Sequence, residues 1–157
     1  GERVPDLPRA SGSLDGLRPG LLRPGPVFRA ALEGVAFNLA WGVGRLRELG
    51  LAVDRLRLVG GGARNALWRS ILADTLAATV DPCAEAESAA LGAALQGLWT
   101  ARRARGDGTP IDALAQPFVR LAGRSVEPDA DRARLYADLA AGFRRSVEAR
   151  HGGASTR

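Results

Sequence analysis

Apolar residues recur at intervals of three and four in four stretches of the chain, which is the spacing of one helix face. The predicted helices span Val27 to about Leu49, Ala66 to about Ala78, about Ala86 to Ala104, and about Asp129 to Arg150. Between the first two, the alternation of polar and apolar residues over Arg55–Val59 predicts a strand, and Thr79–Asp81 predicts a second strand that ends at Pro82. Helices and strands in this order indicate an α/β fold, with helices covering a sheet.

The remaining stretches show no sustained periodicity. Residues 1–26 are rich in proline and glycine and predict extended segments and turns. Residues 106–128 predict a connector with a short helical turn at 111–114, and residues 152–157 predict a disordered tail. In the first helix, Gly34, Gly42 and Gly44 each weaken helix formation, so we expect them to pack closely against a neighbour, and Gly50 to end the helix.

Three consecutive glycines, Gly60–Gly62, join the first strand to the second helix, for which Asn65 is a good N-cap. A glycine turn lets backbone N–H groups approach a phosphate at a helix N-terminus, so a nucleotide is the first ligand to consider. A tight turn without a ligand explains the same glycines. A dinucleotide-binding unit is a third interpretation, since Asp81 stands where its ribose-binding acid would; however, Asn65 replaces the third glycine of that fingerprint, which counts against NAD.

Composition excludes several classes of site. The 157-residue chain has no lysine, so neither a P-loop nor a catalytic lysine is present. The single histidine, His151, argues against a Ser-His-Asp or histidine-metal site, and we predict no catalytic or metal-binding residue in this chain. The single cysteine, Cys83, excludes a disulfide framework, fits a reducing cytoplasmic compartment, and is interpreted as a small apolar residue rather than a nucleophile.

The formal charge is +5, and every basic residue is arginine. We expect the clusters around Arg102 and Arg144 to lie near helix C-termini, where cations complement the dipole, and we predict no nucleic-acid partner. No apolar run of about 18 residues occurs, so no membrane span is expected. The chain begins at Gly1 and contains no methionine, and we therefore expect it to be a fragment of a longer protein.

The segment Gly60–Arg69, followed by Leu72-Ala73-Asp74, resembles the adenine-nucleotide motif of the FGGY carbohydrate kinases. Three further blocks resemble the same family in the same order: Gly1–Pro5 with Gly12–Leu17, Arg29–Phe37, and Glu87–Ala94. The resemblance covers about residues 1–150 and is strongest to the xylulokinase branch, with gluconate kinases next. It implies the C-terminal, nucleotide-binding lobe of an actin-like ATPase (ribonuclease H-like) fold, truncated at its N-terminal side.

By this resemblance, Gly61, Gly62 and Ala63 would line the α-phosphate and adenosine, and Asn65 would hydrogen-bond the nucleotide. Arg64 would face either the nucleotide or solvent. Structural roles are favoured over catalytic ones for three further family positions, which are Glu33, Gly34 and Glu87. The chain departs from the family at Asp6-Leu7-Pro8, where an aromatic-Asp pair is usual, which puts a substrate-side role of this loop in doubt.

The resemblance further implies that the intact enzyme uses ATP and Mg²⁺ to phosphorylate a sugar or polyol, with D-xylulose favoured. The sugar pocket, the aspartate general base and the phosphate loops would lie in the missing N-terminal part, so we expect the isolated chain to be inactive. The isolated chain would expose apolar surface that contacts that part in the intact enzyme. We therefore expect the isolated chain to associate or to have a low melting temperature, and a homodimer is compatible with this. The alternatives are a dinucleotide-binding oxidoreductase fragment and a non-catalytic nucleotide-binding or interaction module.

Overall fold

A computed structural model describes residues 6–85 and 87–151. The elements are α1 (Pro24–Glu48), β1 (Arg55–Leu58), a 3-10 turn (Gly61–Arg64), α2 (Ala66–Leu76), β2 (Thr79–Pro82), α3 (Ser88–Ala104), α4 (Ile111–Ala115), a second 3-10 turn (Gln116–Phe118) and α5 (Ala130–His151). The predicted helices and strands are all present. None of the helices in the described ranges is long and apolar enough to cross a membrane.

The two strands form a parallel pair connected through α2, with Arg55 opposite Thr79 and Leu58 opposite Pro82. The second strand also receives an antiparallel segment from the connector. Val80 and Val126 exchange two backbone hydrogen bonds of 2.8 and 2.9 Å, and Ala122 donates to the carbonyl of Pro82 at 2.7 Å. The α/β fold predicted from the sequence is confirmed, and the connector adds an edge to its sheet.

This added edge contains a bulge opposite Pro82. The antiparallel register shifts by two residues between the bridges Val80–Val126 and Cys83–Leu121, and Gly123 adopts a positive φ of 95° within the extra residues. A proline has no N–H to donate, so a bulge at this position removes no ladder hydrogen bond. Pro82 is therefore the last residue of β2, one residue further than the sequence predicts.

The hydrophobic core is built around α2, which lies between α1 and α5. Its buried members are Ala36, Ile71, Leu72, Ala73, Leu76, Ala78 and Val80. Helix α2 ends in a left-handed residue, Ala77, with φ 46° and ψ 49°, and the N–H of Ala78 closes the helix by bonding the carbonyl of Ala73 at 3.2 Å. This conformation and this hydrogen bond are those of a Schellman C-cap, with alanine at the position where glycine is usual.

Helix α5 is fixed to α1 and α2 by polar contacts as well as by packing. The buried Asp74 carboxylate accepts hydrogen bonds from Arg132 Nε at 2.6 Å and from the Asp129 backbone N–H at 2.8 Å. On α1, Glu33 accepts a 2.7 Å hydrogen bond from the buried Tyr136 hydroxyl. Burial and this hydrogen bond both raise the pKa of Tyr136. Glu33 therefore has the structural role that the sequence favours.

Two expectations about α1 and α5 are wrong. Gly34 and Gly44 have open space where a side chain would project, so among the described residues nothing packs closely against them. Arg144 lies two turns before the end of α5, where it pairs with Glu148 and covers the ring of Trp41 at 4.8 Å. The other cluster fits, since Arg102 lies in the last turn of α3. The Gly1–Pro5 block and the predicted tail at 152–157 lie outside the described residues.

Candidate nucleotide site

The predicted phosphate turn lies where β1 ends. Gly60 has φ 81°, a conformation that glycine adopts without strain, and its carbonyl accepts the N–H of Ala63 at 3.1 Å. The 3-10 turn that follows carries Gly61 and Gly62 on the surface and Ala63 in the interior. Ligands of open α/β sheets bind outside the carboxyl ends of the strands, so this turn occupies the expected place.

Asn65 is the N-cap of α2, as the sequence predicts. Its Oδ1 accepts the backbone N–H of Trp68 at 3.1 Å, and its carbonyl accepts the N–H of Arg69, also at 3.1 Å. The capping bond occupies the oxygen of the side chain and leaves its two amide N–H donors for another acceptor. Asn65 can therefore cap the helix and donate to a ligand at the same time.

A pocket of about 280 Å³ opens beside this turn, at the carboxyl edge of the sheet. Its lining residues are Gly60, Ala63, Arg64, Arg69, Cys83, Ala84 and Ala122. Of the predicted nucleotide residues, Ala63 and Arg64 line the pocket, whereas Gly61, Gly62 and Asn65 lie in the adjoining turn. Arg64 is exposed and makes no hydrogen bond or ion pair with another described residue, so its guanidinium is available to an anion.

Sequence reasoning missed Arg69 and the far wall of the pocket. Arg69 Nη1 donates to the Ala63 carbonyl at 2.7 Å, which fixes the inner side of the turn, while its Nε is buried with no partner in the described part of the chain. A usable signal was present, because position 69 is one helical turn after the N-cap Asn65. Cys83 and Ala84 directly follow β2, so the parallel pairing of the strands brings them to the same edge.

The last two glycines of the turn, Gly61 and Gly62, have different surroundings. A side chain at Gly61 would meet nothing within 4 Å, and the backbone φ there is ordinary. At Gly62, a Cβ atom would lie 3.3 Å from both Cδ1 and Nε1 of Trp68. A substitution at Gly62 therefore disturbs Trp68 whether or not a ligand binds, and Gly61 is the position at which to test ligand approach.

The dinucleotide interpretation needs a free carboxylate at the end of β2, and Asp81 does not provide one. The buried Asp81 side chain accepts hydrogen bonds from Arg55 Nη1 at 2.8 Å and from the Ser125 hydroxyl at 2.5 Å. These bonds, that of Ser125 first, lower the pKa of Asp81 below its ordinary value. Its oxygens hold the sheet to the added edge, so they are not available to a ribose.

The carboxylates that the sequence places near helix ends offer no metal site. Glu87 stands at the N-cap position of α3, but its side chain makes no capping hydrogen bond. Across residues 6–85 and 87–151 there is no group of three His, Cys, Asp or Glu side chains that could hold a metal ion. The site therefore consists of backbone N–H groups, an asparagine amide and two arginines, and this donor set suits an anion.

The fold is an α/β unit with an anion-suited donor set at the edge of its sheet, and the comparisons with known proteins identify the family to which it belongs. Residues 1–101 match the C-terminal domain of the FGGY family of carbohydrate kinases, and the chain belongs to that family. Its architecture is a part of the actin-like ATPase fold that these sugar kinases share.

Several of the similar proteins are xylulose kinases. The xylulose kinase of Haemophilus influenzae is 37% identical over 121 residues, covering 77% of this chain and 24% of that protein. The xylulose kinase of Escherichia coli is 35% identical over 148 residues, covering 92% and 29%. The crystal structure of xylulose kinase from Rhodospirillum rubrum superposes with a TM-score of 0.74 at 32% identity, covering 90% and 28%. The chain thus spans between a fifth and a third of the length of the relatives it matches.

Proposed function

We propose that residues 1–150 form the adenine-nucleotide-binding part of an ATP-dependent sugar kinase of the cytoplasm, with D-xylulose as the sugar. Its similarity to xylulose kinases from three bacteria supports the choice of sugar. The observation that carries the proposal is the site itself: Gly60, Ala63 and Arg64 line a pocket at the carboxyl edge of the sheet, the Asn65 amide lies in the adjoining cap, and Arg64 has no partner among the described residues.

The chemistry of the site fits a polyphosphate. Arg64 and Arg69 line the pocket together, and no carboxylate of residues 6–85 and 87–151 lines it, so the charge of the lining is positive. Guanidinium groups bind phosphate oxygens through pairs of N–H donors. The exposed backbone of Gly61 allows a phosphate to approach closely.

The same geometry supports the expectation that this part alone is inactive. Transfer of a phosphoryl group to a sugar hydroxyl needs a base that accepts the hydroxyl proton. The two buried carboxylates of the described residues, Asp74 and Asp81, each form an ion pair with an arginine, so neither is placed to accept a proton from a substrate. We therefore assign the base, the sugar pocket and the contacts to the Mg²⁺ of ATP to the other lobe of the kinase.

Binding of ADP to the 157-residue chain, measured by isothermal titration calorimetry, tests the proposal. We expect ADP to bind and NAD to bind at least tenfold more weakly, because Asp81 is not available to a ribose. Gly61→Val should weaken ADP binding at least tenfold, since its side chain occupies the approach to the backbone. The matched control is Gly108→Val, at another glycine with open space and an ordinary φ, which should bind ADP like the wild type.

Two results would contradict this placement. If folded Gly61→Val binds ADP as tightly as the wild type, the glycines form only a tight turn. If the wild-type chain binds no ADP at millimolar concentration, the nucleotide site is not in this chain. The sugar is tested separately in an intact kinase that contains this chain, by comparing ADP release with D-xylulose and with D-gluconate; faster release with D-gluconate would contradict the choice of D-xylulose.

A further inference from the structure

Arg69 holds the glycine turn through a hydrogen bond from its side chain to the backbone. Its Nη1 donates to the Ala63 carbonyl at 2.7 Å, and no backbone N–H of the described residues donates to that carbonyl. The backbone N–H of Arg69 donates to the Asn65 carbonyl at 3.1 Å. Ala63 is buried, whereas the other residues of the 3-10 turn are exposed. The side chain of Arg69 therefore ties an otherwise exposed turn to helix α2.

The Ala63 carbonyl matters because Ala63 and Arg69 both line the pocket. A carbonyl oxygen carries partial negative charge and repels a nearby anion. A guanidinium donor satisfies this oxygen through a charge-assisted hydrogen bond and offsets its charge. The bond also fixes the orientation of the peptide group between residues 63 and 64, because a trans peptide is planar. Arg69 thus prepares this wall of the pocket for a phosphate.

Stability alone does not account for Arg69. Its Nε is buried and has no hydrogen-bond partner within residues 6–85 and 87–151. A buried donor without an acceptor destabilises the folded state, and an apolar side chain of similar length would avoid that cost. Residues that break such a rule are typical of functional sites. The unpaired Nε therefore indicates that Arg69 serves the site as well as the fold.

The second arginine of the pocket, Arg64, is exposed and makes no hydrogen bond or ion pair with another described residue. We infer that Arg69 is a positioning residue for nucleotide binding, which acts by holding the Ala63 carbonyl, while Arg64 contacts the phosphate directly. This inference rests on the function proposed above. It assigns different roles to two arginines that line the same pocket.

Calorimetry with ADP and thermal melting of the full chain test this role. Arg69→Met should weaken ADP binding roughly tenfold, because the turn loses its fixed position. Arg69→Lys should recover roughly threefold of that loss, because an ammonium group can donate to the same carbonyl. Arg69→Met should melt within a few degrees of the wild type, because the change removes the unpaired Nε together with the bond.

Arg47 provides the matched control at the other end of α2. Its Nη2 donates to the carbonyls of Val53 and Leu76, both at 2.7 Å, and it does not line the pocket. Arg47→Met should lower the melting temperature and leave ADP affinity unchanged. The two arginines both bond backbone carbonyls, so opposite effects of the two variants would separate positioning of the site from support of the fold.

A double variant distinguishes positioning from direct contact. Gly61→Val disturbs the same turn, so adding it to Arg69→Met should weaken ADP binding little more than either change alone. If Arg69 contacted the phosphate itself, the two losses would multiply to about a hundredfold. Amide hydrogen exchange without nucleotide provides a second measurement, in which the Ala63 N–H should exchange about fivefold faster in Arg69→Met than in the wild type.

Several results would overturn the role of Arg69. They are an Arg69→Met chain that binds ADP like the wild type, an Arg69→Met chain that does not fold, losses that multiply in the double variant, and unchanged exchange at Ala63. When the wild-type chain binds ADP, each of these results rejects this inference alone. A wild-type chain that binds no ADP contradicts the proposed function as well.

Discussion

The β1–α2–β2 unit and the α3–α4 segment follow one another along the chain, and both have regularly spaced apolar residues. They differ in how many of their helical residues are buried. In α2, five of the eleven residues are buried. In α3, none of the seventeen is buried, although it contains leucines at 91, 95 and 98. Its main contacts are with α4 and include a 3.0 Å hydrogen bond from Trp99 Nε1 to the Thr109 carbonyl.

The two helices differ in burial because their neighbours differ, and not because their apolar patterns differ. Helix α2 is fixed at both ends by paired strands and lies between two longer helices, so every apolar residue on its inner side meets another apolar residue. Helix α3 follows β2, and among the described residues its main packing partner is the short helix α4. An apolar period therefore predicts that a helix forms, whereas the topology decides how much its apolar face contributes to stability.

Truncation of one side chain in each helix measures this contrast most directly. Ile71→Ala in α2 should lower the free energy of unfolding by about 2–5 kcal/mol, because Ile71 is 1% exposed and its loss leaves a cavity. Leu98→Ala in α3 should cost less than Ile71→Ala, about 1 kcal/mol or below, since Leu98 is 42% exposed and its loss leaves no closed cavity. Urea unfolding followed by circular dichroism gives both values. Equal losses would show that α3 is buried in solution.

The second contrast concerns carboxylates and pH. The pKa of Asp81 is lowered by the hydrogen bond from Ser125 and then by Arg55. Its folded pKa lies below its unfolded value of about 3.9, so the stabilisation is complete above that pH and is lost as the pH falls through the folded pKa. Asp81→Asn should cost about 1–3 kcal/mol at pH 7 and flatten the loss of stability below about pH 4.

Asp107 provides the matched control in the α3–α4 segment. Hydrogen bonds from Thr109 lower its pKa as well, but the group is in contact with solvent. Asp107→Asn should change neither the stability at pH 7 nor the acid profile to a measurable degree. Unfolding measured by urea titration at pH 7, 4 and 3 compares the two variants, and identical profiles would remove any special role of Asp81.

Sequence reasoning succeeded where the signal is local. The capping bond of Asn65 and the glycine turn before α2 depend on residues within four positions of each other, and the pattern predicts both. Reasoning failed where partners are distant along the chain. Ser125 reaches Asp81 across 44 positions, and the connector joins β2 through a bulge. Gly34 and Gly44 of α1 were assigned close neighbours that the described residues do not provide, because nothing local reveals which helix face remains open.

The same distinction between local and distant residues applies to the candidate site. The turn at Gly60–Arg64 follows from the sequence, whereas the sequence leaves the direction of Arg64 open, and the structure shows Arg64 in the pocket lining. The wall formed by Cys83, Ala84 and Ala122 was not predicted, because it depends on the pairing of β2 with β1 on one side and with the connector on the other. A pocket shared by three segments becomes visible only when the topology is known.

Helix capping gives a third, smaller contrast. Asn65→Ala removes the hydrogen bond that the Trp68 N–H donates to Oδ1 and should cost about 1 kcal/mol. Glu87→Ala, at the corresponding position of α3, should cost nothing measurable, because Glu87 makes no capping bond. Thermal melting without nucleotide reports the cap, and calorimetry with ADP reports the amide donors. If Asn65→Ala lowers melting but leaves ADP affinity unchanged, Asn65 is a cap and not a nucleotide ligand.

The smallest expected effect is at the C-terminal ends of the same two helices. Ala77 adopts the left-handed conformation at the end of α2, which strains an alanine but not a glycine. Ala77→Gly should therefore raise the free energy of unfolding by about 0.5–1 kcal/mol, even though glycine gains freedom in the unfolded chain. Arg105 ends α3 with φ −97° and ψ 9°, a conformation that any residue adopts, so Arg105→Gly should gain no stability. Differential scanning calorimetry resolves the sign, and a lower melting temperature for Ala77→Gly would show that the left-handed cap does not persist in solution.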